Sequence, residues 1–205
     1  MFQRVIFLAL ILSWFVFCSV HSYSIQSENR QFERLSNSVS ASILSSSIEE
    51  DDSSIELAML AYSIKAPKGC SNPYFNPDIN DRDRGVTIKR PWNDEYSVQI
   101  GPQAFANWAI LGSTLAHEIE VHCNQNFAWV NFLNLLGMDG TGFAERVAYN
   151  YEIANQDRFG LSSEDILSIS TIKEHYYPYP SETKQPERLY SYFENIVTEL
   201  LRLNI

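Results

Sequence analysis

Between Gly101-Pro102 and Gly137-Met138-Asp139-Gly140 the chain repeats apolar residues at three- and four-residue steps from about Ala104 to Leu136. Such a period is that of one face of a helix, and it predicts a single long helix across this stretch. Leu111, Leu115, Glu118, His122, Gln125 and Trp129 follow the same steps. Polar Glu118, His122 and Gln125 therefore stand in line with apolar neighbours, where an unpaired carboxylate would be costly. A helix this long commits the fold to packing against it.

The neighbouring segments supply that packing. A short helix is expected from about Ser54 to Lys65, dense in Ile55, Leu57, Met59, Leu60 and Ile64 and stopped by Pro67 and Gly69. Turn chemistry at Asn72-Pro73, Asn76-Pro77 and Asp78 to Gly85 leads to a strand at Val86–Lys89. Pro91-Trp92-Asn93-Asp94 then turns the chain into a second strand, Tyr96–Gly101, giving a hairpin. Beyond the long helix, Thr141 is placed to cap a helix from about Gly142 to Gln156 that ends near Gly160. Ser162 or Ser163, with Glu164 and Asp165 in the first turn, starts another to about His175, and the Tyr/Pro-rich stretch Tyr176–Pro180 ends it. Pro186 opens a last helix with Leu189, Phe193, Ile196, Leu200 and Leu203 on one stripe. The fold class expected is α+β and mainly α-helical: a small hairpin or short sheet on the long helix, with three or four further helices.

Three segments organise the chain. Arg4 precedes an apolar run, Val5 to Phe17, and small residues at Val20 and Ser22 follow, which reads as a signal peptide over residues 1–22 cleaved at Ser22/Tyr23. The expected location is accordingly secreted or periplasmic, with no stable membrane association after cleavage. Residues 23–54 are Ser-rich and acidic and read as a disordered tether. Residues 55–205 form the single domain. With 25 acidic against 15 basic residues the net charge is −10, which argues against a nucleic-acid partner, since that needs a basic face. Export leaves Cys70 and Cys123, read as one disulfide that stabilises by roughly 4 kcal/mol through loop closure. Free buried thiols, or a metal-binding role for Cys123 beside His122, are the alternatives.

The chemically loud segment is His117-Glu118-Ile119-Glu120-Val121-His122. It resembles the zincin metallopeptidases, whose active-site helix carries His-Glu-x-x-His, and the downstream Glu145-Arg146-Val147-Ala148 resembles the element that supplies the third ligand in glutamate-type zincins. The resemblance covers roughly residues 96–156. It implies zinc on His117, His122 and Glu145, with Glu118 as general base, Tyr149 as hydrogen-bond donor to the oxyanion, and peptide or protein as substrate.

This chain departs from the pattern by one residue, reading His-Glu-x-x-x-His. On a regular helix, at about 100° per residue, His117 and His122 lie about 140° apart and cannot share an ion. Two solutions are open. A one-residue π-bulge brings them together; alternatively Glu118 and His122, an i, i+4 pair, ligate with Glu145 or Glu152 while His117 or Glu120 acts nearby. Asn124 and Gln125 are candidates for orienting ligands. His175 reads as a helix-end imidazole, and Tyr176, Tyr177 and Tyr179 as cover for a core edge. The alternative function is an exported binding or interaction domain with a structural or degenerate metal site.

Overall fold

A computed structural model describes residues 38–80, 82–89 and 95–179. The chain divides into a unit Met1–Ser45, in which residues 38–44 are helical, and a unit Ser46–Ile205 that holds everything below. The signal segment and the expected helix after Pro186 lie outside the described residues. Of the stretch read as a tether, residues 38–44 are helical, and Asp51 and Asp52 cap and open the first helix of the second unit.

That helix, α1 (Asp52–Ala61), starts where the Asp51 carboxylate accepts the Ser54 N–H at 2.8 Å. Three strands follow: β1 (Tyr74–Phe75), β2 (Gly85–Lys89) and β3 (Tyr96–Ile100). The sheet order is β1-β3-β2, with β1 parallel to β3 and β2 antiparallel to it in the register Gly85↔Ile100 to Lys89↔Tyr96. The hairpin is as the sequence predicts; β1, only two residues long, falls in what reads as loop. Val98 and Ile100 turn inward without exposure, whereas β2 stays partly exposed at the sheet's edge.

The single long helix is the main correction. The chain instead makes a 3₁₀ turn (Pro102–Ala106), helix α2 (Trp108–Ala116), a π-helical segment (His117–Val121), a second 3₁₀ turn (His122–Asn124) and helix α3 (Phe127–Leu135). Two asparagines punctuate it. Asn107 and Asn126 are N-caps whose side chains accept the backbone N–H of Ile110 and Trp129, at 2.8 and 3.2 Å. Asn side chains compete with the helix for backbone donors, so they stop one helix and start the next within a continuous apolar pattern. A Cys70–Cys123 disulfide holds the break between α2 and α3.

Helix α4 (Gly140–Ala154) begins two residues earlier than expected and is capped by Asp139, which accepts the Gly142 N–H at 3.1 Å. Thr141, expected as the cap, is instead held by Asn134 through its N–H and hydroxyl. At Gly140 a Cβ would collide with the Val130 carbonyl oxygen, so glycine permits α3 and α4 to touch backbone to side. A short helix α5 (Gln156–Phe159) ends at left-handed Gly160, and α6 (Ser163–Tyr176) opens with a Ser162/Asp165 capping box. Val121, Phe143, Val147 and Ala148 form one core cluster; Ile110, Tyr149 and Ile169 form another. The fold is α+β and mainly helical, with α2 and the π segment buried at its centre. Among the described residues no helix is long and apolar enough to cross a membrane.

Candidate metal centre

Helix α2 is buried on every side and carries the chain straight into the π segment. There the His122 N–H reaches back to the carbonyl of His117, five residues earlier, as well as to that of Glu118. The wider turn absorbs the extra residue between the histidines. Their rings meet edge to face with centroids 4.8 Å apart, and the two Nε2 atoms lie 3.1 Å from each other. Of the two open arrangements, the bulged one is found.

Glu145, on the second turn of α4, completes the group. Its Oε2 is 3.4 Å from His117 Nε2 and its Oε1 is 3.4 Å from His122 Nε2. The three ligand atoms are mutually within 4.8 Å, and His117, His122 and Glu145 could together hold a metal ion. Bonds of 2.0–2.1 Å to a tetrahedral ion imply donor atoms about 3.3 Å apart, near the 3.1 Å between the imidazole nitrogens and the 3.4 Å from each nitrogen to its own oxygen of Glu145.

The far sides of both imidazoles fix their protons. His117 Nδ1 faces the Glu152 carboxylate at 2.7 Å, and His122 Nδ1 faces the amide oxygen of Gln125 at 2.7 Å. The Gln125 amide nitrogen donates to the Ala144 carbonyl at 3.1 Å, which settles its orientation. Both partners are acceptors, so each Nδ1 carries the hydrogen and each Nε2 presents a lone pair. Two lone pairs and a carboxylate converging on one point need a cation between them. When protons are the only cations at hand, His117 takes that part: burial would lower its pKa, but hydrogen bonds to Glu145 and Glu152, with the charges of Glu152 and Glu118, raise it to about 10. His122 is raised as well, the charge of Glu145 prevailing over burial. Burial would lift Glu145, yet the two imidazoles hold it well below the usual carboxylate range.

Glu118 adjoins this group without joining it, its Oε1 lying 4.0 Å from His117 Nε2. The Thr87 hydroxyl on β2 donates to Glu118 Oε2 at 2.7 Å, so the sheet aims this carboxylate. Burial raises its pKa against the pull of His117 and His122. Gly85 makes room for it: a Cβ there would fall 2.8 Å from both Cγ and Oε1 of Glu118.

Tyr149 is buried with its ring edge-on to His117, centroids 4.7 Å apart, and beside the Arg84 guanidinium. Burial pushes its hydroxyl pKa up, so it is a donor at any physiological pH. His117, Glu118, His122, Glu145 and Tyr149 open on a cavity of about 300 Å³ bounded also by Thr87, Phe127, Thr141 and Tyr177.

Glu152, weighed as a ligand, sits behind His117 instead, and Glu120 turns away to pair with Arg158 at 2.6 Å and Tyr151 at 2.7 Å. Gln125 orients a ligand; Asn124 only donates to the Glu120 carbonyl at 2.9 Å. Cys123 is disulfide-bonded, which excludes it as a ligand. His175 packs edge-on against Tyr176 and does not line the cavity. Tyr177 covers the edge of the Ile110, Tyr149 and Ile169 cluster, as the sequence reading has it, and also lines the cavity. Arg84 and Thr87 carry no signal in the sequence, since each acts on a residue far away along the chain. No family model matches the chain, and no curated protein or solved structure matches it.

Proposed function

We propose that the protein is an exported zinc-dependent hydrolase of zincin type that cleaves peptide bonds. The observation that carries this reading is the convergence of two imidazole nitrogens and one carboxylate, their ligand atoms mutually within 4.8 Å, beside a buried carboxylate outside that group. His117, His122 and Glu145 would hold the ion. Neutral nitrogens with a carboxylate suit zinc, which when bound supplies Lewis acidity and lowers the pKa of a water at its open position towards about 7. Glu118 is poised as general base, its raised pKa bringing it towards the range in which a carboxylate exchanges protons efficiently. Tyr149 has a hydroxyl that stays protonated and can donate to an oxyanion. The edge strand β2 borders the cavity through Gly85, Val86 and Thr87, so an extended peptide can add to the sheet there and lie across the ion. The disulfide is in keeping with an oxidising compartment.

The test is metal analysis of chelator-free protein beside His122→Ala and Glu118→Gln, with a peptide-library cleavage assay. About one zinc per chain, lost in His122→Ala, with cleavage abolished but zinc kept in Glu118→Gln, supports the reading. Zinc without cleavage in any form turns the site into a structural one. Absence of zinc from the wild-type chain ends the proposal.

A further inference from the structure

Arg84 stands immediately before β2, its side chain nine-tenths buried, and its Nη2 donates to both oxygens of Glu152 at 2.9 and 3.0 Å. Glu152 is wholly buried on α4, and its Oε1 is also the acceptor for His117 Nδ1 at 2.7 Å. A buried carboxylate in that position with only an imidazole and the Ser113 side chain as partners would be poorly compensated. The guanidinium supplies the missing charge and keeps Glu152 an acceptor only. By engaging both oxygens it also anchors the carboxylate between the start of β2 and α4, with Oε1 facing His117.

We propose that Arg84 is a positioning residue for the metal centre, acting through Glu152 to fix the tautomer and aim of His117. The inference rests on the metal-binding reading of the site. The two histidines are braced by different means: His122 leans on a neutral amide from its own segment, His117 on a charged pair that joins the sheet to α4. Loss of Arg84 therefore acts on one ligand and leaves the other braced. Toward Glu152 one nitrogen does the hydrogen bonding, both contacts coming from Nη2, while Arg84 Nη1 has no hydrogen-bond partner among the described residues. A lysine ammonium at the same place can reproduce what Nη2 supplies.

The experiment measures zinc dissociation constants by competition with a chromophoric chelator, visible spectra of the cobalt(II)-substituted protein, and the His117 imidazole N–H resonance in zinc-free protein. The proteins are the wild type, Arg84→Met, Arg84→Lys, Glu152→Gln and Arg84→Met/Glu152→Gln. Outer partners of metal-bound histidines typically matter about 10- to 100-fold in affinity. Arg84→Met is expected to weaken zinc by that factor and shift the cobalt spectrum, with Arg84→Lys recovering most of both. In the double variant Arg84→Met is expected to add nothing to Glu152→Gln, because the effect runs through that carboxylate. Unchanged zinc affinity in Arg84→Met, equal losses in Arg84→Met and Arg84→Lys, or additive losses in the double variant overturns the proposal. Should Arg84→Met fail to fold, Arg84→Lys alone decides, by holding or losing zinc to within about tenfold of the wild type. A wild-type chain that binds no zinc ends the functional reading above, and the imidazole resonance then decides this one: present in wild type and Arg84→Lys but lost in Arg84→Met supports it, unchanged in Arg84→Met overturns it.

Discussion

The segment that carries the histidines and the helix that carries the glutamates deliver their side chains by opposite routes. Helix α4 is regular, and Glu145, Tyr149 and Glu152 share a face because they are spaced at helical steps. Beyond the α-helix that ends at Ala116, the stretch from His117 to Asn124 passes from π to 3₁₀ geometry within eight residues, and its two histidines meet because the turn between them is wide. Regular backbone is held by its own hydrogen bonds. Irregular backbone has to be held by its surroundings, and here these are the disulfide at Cys123, the Gln125 bridge to His122 and Ala144, and the Tyr96 hydroxyl on the Gln125 carbonyl.

The comparison breaks most readily at the disulfide. Replacing Cys70 and Cys123 by serine removes a cross-link between residues 53 positions apart, worth about 4 kcal/mol on the loop-entropy account. Urea unfolding should show that loss, and zinc affinity should fall with it because Cys123 adjoins His122. A protein that loses stability but keeps its zinc affinity would mean that the His122 turn stands without its staple.

Gly140→Ala probes the regular partner. A methyl group there meets the Val130 carbonyl, so overpacking of about 1–3 kcal/mol is expected in thermal or urea melts. Because it pushes α3 from α4 and leaves the spacing within α4 intact, the zinc stoichiometry should stay at that of the wild type.

Deleting Glu120 sharpens the contrast further. It shortens the motif to the spacing of a regular helix, on which an i, i+4 pair also meets. Zinc affinity within about tenfold of the wild type is expected, since the pair is preserved by a different geometry. Complete loss would show that the wide turn does more than absorb one residue.

The smallest effect belongs to a remote, regular element. Ser162→Ala removes one side of the α6 capping box and should lower stability by about 1 kcal/mol without touching zinc affinity. Asp165, the other side, carries a pH signature: burial raises its pKa, but hydrogen bonds from the Ser162 side chain and backbone and from Asn107 lower it on balance. A depressed folded pKa means stability present above the unfolded value of about 3.9 and lost as pH falls through the folded one. Asp165→Asn should flatten that part of the acid-unfolding curve.

The sequence is informative where local chemistry decides the outcome. The β2–β3 hairpin, the α6 cap at Ser162 and the shared face of Glu145, Tyr149 and Glu152 follow from residue types and spacing alone. Asn107 and Asn126, which cap helices here, are of a residue type that favours caps, yet the unbroken apolar period around them reads as one helix. The His117–His122 spacing announced an irregularity without choosing between a bulge and a different ligand pair, because tertiary packing makes that choice. Arg84, Thr87 and β1 could not be read at all. An ion pair between residues 68 positions apart, a hydroxyl bond across 31, and a two-residue parallel strand leave no local trace.

Gly85 gives the sheet a second office. With a Cβ there colliding with Glu118, the opening residue of β2 and this carboxylate occupy a common volume, and glycine concedes that volume to the carboxylate. The strand's backbone thereby works as a dial on Glu118: a single methyl at this position, Gly85→Ala, is expected to shift Glu118 while His117, His122 and Glu145 keep their places. For anyone wishing to move the carboxylate beside the cluster without touching the cluster itself, the adjustable part is a residue with no functional group of its own.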